Sequence, residues 1–98
     1  MFVILTSRPG QYRTELGDGL TACEAYDYLF YGQKKAQFVI AEQTGNAKIR
    51  IVDEMPPALV NEVPPKFLPQ FATLEQARAE LHAMVTFGSM DIALKKQP

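Results

Sequence analysis

A chain of 98 residues with 47% hydrophobic and 21% charged side chains is one ordinary globular domain spanning 1–98, and that balance excludes a disordered polypeptide. Ten basic against eleven acidic residues leave a formal net charge of −1, so no global field draws the chain to nucleic acid or anionic lipid. The single cysteine excludes an internal disulfide and the multi-thiolate zinc and iron–sulfur sites, and no apolar run approaches the roughly 20 residues that span a bilayer.

Residues 2–7 are rich in β-branched and large apolar side chains and run into the Pro9-Gly10 turn signal, which predicts a strand. Both of its faces are largely apolar, which places it centrally in a sheet. Its apolar opening is too short and too uncharged for a secretory leader, so the cytoplasm is the expected location. Residues 11–16 read either as a second strand folding back on the first or as loop, since Gly17-Asp18-Gly19 follows at once.

Thr21-Ala22-Cys23-Glu24 fits a helix capping box, and Gly32 stands where a left-handed C-terminal residue is wanted. The helix so predicted buries Ala22, Ala25, Tyr26, Leu29 and Phe30 and presents Glu24, Asp27, Tyr28 and Tyr31 on its other side. Residues 35–43 and 48–54 alternate at period two around 44–47, predicting a hairpin with Gln43 opposite Lys48 and Ile40 opposite Ile51.

Five of the seven prolines fall in residues 55–72, whose Leu59, Val60, Val63, Phe67, Leu68 and Phe71 are too apolar for a solvated linker. This segment reads as an extended arm lying on a surface, of this subunit or another. Thr73-Leu74-Glu75-Gln76 is a second capping box, and Leu74, Ala77, Leu81, Met84 and Val85 form the buried stripe of a helix that Gly88 ends. Residues 90–94 alternate weakly and suit a last edge strand. The expected fold is therefore α+β, a small antiparallel sheet with two helices on one face. If 11–16 is loop and the tail is strand, the order becomes the ferredoxin-like βαββαβ plait.

Chemistry-bearing residues are sparse. Cys23, in the first turn of the predicted helix, sits where free N–H groups favour a thiolate, although Glu24 and Asp27 oppose this and a small flank residue is the plainer reading. His82, the one histidine, is a weak candidate base on the second helix, a solvated flank position being the plainer reading. These two are the only catalytic candidates, and no metal ligand set or cofactor motif is present. Arg8, Arg13, Lys34, Lys35, Lys48 and Arg50, with Tyr12, Tyr28 and Tyr31, make a candidate single-strand stacking platform, which the net acidity disfavours.

Four of ten aromatics crowd Tyr26-Asp27-Tyr28-Leu29-Phe30-Tyr31, and one helix face cannot bury them all. Tyr28 and Tyr31, with Phe67 and Phe71 of the arm, are the candidate interaction residues. The leading expectation is a non-enzymatic interaction or accessory module that binds a protein partner or a second copy of itself. The alternatives are a small enzyme or ligand-binding domain with a pocket between sheet and arm, and a weak nucleic-acid binder. Glu24-Ala25-Tyr26-Asp27-Tyr28-Leu29-Phe30-Tyr31-Gly32 and Lys66-Phe67-Leu68-Pro69-Gln70-Phe71 also resemble stretches of small uncharacterised bacterial proteins, some labelled "ferredoxin". The resemblance implies a bacterial origin and an oxidation-pathway neighbourhood. It carries over no iron–sulfur ligands, since such a cluster needs four thiolates.

Overall fold

A computed structural model describes residues 1–85 and 92–98. Along the chain run strands β1 (Phe2–Ser7), β2 (Tyr12–Leu16), β3 (Leu20–Phe30), β4 (Gln33–Gln43), β5 (Ile49–Asp53) and β6 (Val60–Val63), a short 3₁₀ turn at Pro65–Phe67, helix α1 (Leu74–Val85) and strand β7 (Ile92–Lys96). They form a four-stranded sheet, β1-β4-β3-β7, and a three-stranded sheet, β2-β5-β6, with every pairing antiparallel.

The two-helix α+β fold is overturned: the chain is mostly β, and among the described residues α1 is the one α-helix. The predicted first helix is strand β3. Its Thr, Tyr and Phe residues favour a pleated surface, and Glu24, Tyr26, Tyr28 and Phe30 alternate toward one face. The apparent capping box is a coincidence of residue types. Gly32 serves a hairpin rather than a helix end: Tyr31 (φ 51°) and Gly32 (φ 78°) make a two-residue turn closed by Phe30 opposite Gln33. Positive φ at both central positions matches the right-handed twist of the flanking strands. The βαββαβ alternative falls with the same helix.

The expected pairing of 35–43 with 48–54 does not occur. Ile40 lies opposite Ile4 and Glu24, while Ile51 lies opposite Thr14 and Asn61 in the other sheet. Residues 17–19 and 44–48 instead run side by side, with Gly17 N–H on the Lys48 carbonyl at 2.9 Å, Lys48 N–H on the Asp18 carbonyl at 3.0 Å and Thr44 N–H on the Gly19 carbonyl at 2.8 Å. One long ribbon, β2–β3 against β4–β5, thus bends between the sheets. The corner depends on bare backbone, because a Cβ at Gly17 would stand 2.3 Å from the Lys48 carbonyl oxygen.

Residues 12–16 are strand, the second of the two readings being loop. They pair with β5, though Thr14 still ties them to β1: its N–H reaches Ser7 Oγ at 2.8 Å and its hydroxyl donates to the Thr6 carbonyl. Strand β1 is an edge of the larger sheet, not its centre. Its outer side is partly covered by the arm, where Phe2 and Phe71 exchange backbone hydrogen bonds at 2.7 and 2.9 Å. The arm lies on this same chain and contributes β6 to the smaller sheet.

Helix α1 forms as its sequence dictates. Thr73 Oγ1 accepts the Gln76 N–H at 3.1 Å, and Gln76 Oε1 accepts the Ala72 N–H at 3.1 Å. Ala77, Leu81 and Val85 are buried against Tyr26, Ala36, Phe38 and Ile40, whereas Met84 of the expected stripe is exposed. The opposite face of the larger sheet packs Val3, Leu5 and Ala41 onto Ile49, Ile51, Val63 and Leu68. The larger sheet is thus sandwiched between helix and smaller sheet. The last strand begins at Ile92, and Gly88, Met90 and Asp91 of the sequence expectations lie outside the described residues.

Candidate functional site

Two irregularities in the central ladder decide which side chains leave the core. Between Ala22 and Glu24, Cys23 is an extra residue of β3, and between Tyr28 and Leu29, Lys35 is an extra residue of β4. Such bulges bend a strand and re-aim a side chain. The first leaves Cys23 exposed, with its Sγ 3.7 Å from the Thr21 carbonyl oxygen, and turns Glu24 inward.

Glu24 is the one buried charged residue among the described residues. Arg78 grips it in a two-pronged contact, Nε to Oε1 at 2.7 Å and Nη2 to Oε2 at 2.6 Å. Tyr26 donates its hydroxyl to Oε1 at 2.8 Å, and Lys96 Nζ stands 2.9 Å from Oε2. The Arg78 guanidinium holds the Glu24 carboxyl far below its ordinary value of 4.5, with Lys96 and Tyr26 assisting against the opposing effect of burial. Burial and the hydrogen bond to Glu24 push the Tyr26 phenol up. A carboxylate with four donors and so low an affinity for protons is no general base; the cluster fastens α1 and β7 to β3. The sequence instead predicts Glu24 on the side of a helix turned away from its core stripe.

The second bulge brings Lys35 to a groove of about 630 Å³ between the C-terminal end of α1 and the helix-side face of the larger sheet. Tyr28, Phe30, Phe38, Met84 and Val85 supply its apolar walls, Thr6 and Tyr12 one border, and Arg8 and Lys35 its charges. Among the described residues, no acidic side chain lines the groove. Of the six basic residues grouped from the sequence, Arg13 and Arg50 contact Glu15, Lys34 contacts Asp27 and Lys48 contacts Glu62. Arg8 and Lys35 have no carboxylate partner among the described residues. Of the nine residues grouped as a stacking platform, Arg8, Tyr12, Tyr28 and Lys35 line the groove and the other five do not, while Phe30, Phe38 and Met84 as groove walls were not anticipated.

The remaining candidates scatter. Tyr28 is half-buried, its ring edge-on to Phe38 at 6.1 Å, so it lines the groove rather than an outer face. Tyr31 is 61% exposed at the β3–β4 turn, and Phe67 is 75% exposed on the arm. Phe71 is half-buried beside α1 and Phe2. Cys23 has no helix N-terminus to activate it, and His82 is exposed on α1; neither lines the groove. No group of three or more metal-ligating side chains occurs among the described residues, and no helix there is long and apolar enough to cross a membrane.

Comparison with family models, curated proteins and solved structures returned no match. The resemblance of the 24–32 and 66–71 stretches rests on those residues alone.

Proposed function

We propose that this chain is a non-catalytic ligand-binding module whose groove takes a small molecule with an apolar body and an anionic end. One observation carries the reading: Arg8 and Lys35, both without a carboxylate partner among the described residues, border a groove otherwise walled by aromatic and aliphatic side chains. Its volume falls within the roughly 300–1,000 Å³ of small-molecule sites, which combine apolar walls with few polar groups. A carboxylate between the two cations gains charge-assisted hydrogen bonds while its body covers Phe30 and Phe38. The test is calorimetric titration with 1-naphthoate and the uncharged 1-naphthylmethanol. The acid should bind at least tenfold more tightly, about the weight of one hydrogen bond to a charged group, and an Arg8→Gln/Lys35→Gln double variant should erase that preference. Equal binding of acid and alcohol, or no binding at millimolar concentration, sinks the reading.

A second reading, a protein-contact module, is favoured by the exposed Tyr31, held at positive φ, and by the exposed Met55, Leu59, Val60 and Phe67 of the arm. Sedimentation of the protein at high micromolar concentration separates a self-associating chain from a monomer.

A further inference from the structure

We infer that the ligand is an unbranched aliphatic chain ending in a monoanion, with its tail passing Tyr12 into a second cleft; this deepens the groove reading and rests on it. The second cleft, of about 450 Å³, opens between the outer edge of β1 and the smaller sheet. Thr6 and Tyr12 line both cavities and so form a border common to the two. The two differ in one respect that gives the pair a direction. Both cations belong to the first, whereas the second is walled by Ile4, Leu5, Ile49, Ile51, Val63 and Leu68.

The polar side chains of the second cleft reinforce that direction. Thr14 spends its hydroxyl proton on the Thr6 carbonyl, and the charged residue there, Asp53, repels an anion. An anionic head is attracted at one end and rejected at the other, while an alkyl tail gains by covering the aliphatic side chains of the second cleft. A compact anion fills the first groove alone. A chain fills both, and the arm residues Val63 and Leu68 are then part of the site rather than a covering for the core.

Calorimetry with the straight-chain acids from hexanoate to tetradecanoate, each below its micelle concentration, tests this. Affinity should rise about fourfold per added methylene, the increment for a buried CH₂, and keep rising beyond the chain length at which the groove is full. Val63→Asp, or Leu68→Asp should the first not fold by circular dichroism, should leave hexanoate binding unchanged and flatten the rise for longer chains. If hexanoate binds through Arg8 and Lys35 but the rise stops at the same short chain in parent and variant, the second cleft is uninvolved and the groove reading stands alone. If 1-naphthoate binds and no straight-chain acid does, the inference fails and the groove reading survives. If neither binds, both fail.

Discussion

Replacing Glu24 by Gln keeps the shape of the side chain and removes its charge, which isolates the electrostatic part of the Arg78–Glu24–Lys96 cluster. The Glu24 side chain is only 6% exposed, whereas those of Arg78 and Lys96 are 40% and 58% exposed. Breaking a fully buried pair costs about 3–5 kcal/mol, and exposed pairs contribute about 0–1 kcal/mol. With one partner buried and two in partial contact with water, the expected loss is about 2 kcal/mol. For a domain of this length that lowers Tm by roughly 8–16 °C.

The pH dependence identifies the cause. Because Arg78 depresses the folded-state affinity of Glu24 for protons, its stabilisation is fully present above the ordinary value of 4.5. It is lost as pH falls below 4.5 toward the depressed folded value, since the unfolded chain then binds the proton first. Melts followed by circular dichroism should therefore show a gap between parent and Glu24→Gln that is constant from pH 5 to 7 and narrows toward pH 2. A gap under about 0.5 kcal/mol at neutral pH, the scale of an ordinary surface substitution, would refute the cluster as a fastening. A gap independent of pH would place the loss in packing instead of charge.

Gly17→Ala should destabilise by about 3 kcal/mol in urea unfolding, because its Cβ meets the Lys48 carbonyl and the corner hydrogen bond must open; a loss below 1 kcal/mol would mean that the ribbon bends without close approach. Tyr31→Asn should raise stability by about 0.5–1 kcal/mol, since Asn tolerates the left-handed conformation that Tyr31 adopts. The same substitution should weaken any self-association seen by sedimentation, and unchanged association would remove Tyr31 from the contact.

What was legible follows from how local each signal is. Helix α1 was readable because its cap, Thr73 with Gln76, and its buried Ala77, Leu81 and Val85 all lie within one short window. Strand β1 was readable as a strand for the same reason, but its edge position was not, since that depends on β4 and on Phe71 some seventy residues away. In β3 the local signals conflict. Thr21 and Glu24 mimic a helix cap, and the bulge at Cys23 shifts the alternation by one residue, so that period two holds from Glu24 onward and not across the whole strand.

The same logic governs the site. Alternation in 35–43 and 48–54 correctly marks two strands but says nothing about partners, because any strand with the matching face satisfies it. Gly17 and Gly19 decide the matter by letting residues 44–48 approach, which sends β5 to a different sheet from β4. The corner carries Ile49 and Ile51 away from the helix side and opposite β1, which is what leaves a cleft beside Val63 and Leu68. Had the hairpin formed as expected, Ile40 and Ile51 would share one face and no such cleft would exist. Cavity and corner are thus one feature: the bare backbone at Gly17 positions a chamber whose walls come from strands β1, β2 and β5 and from the arm.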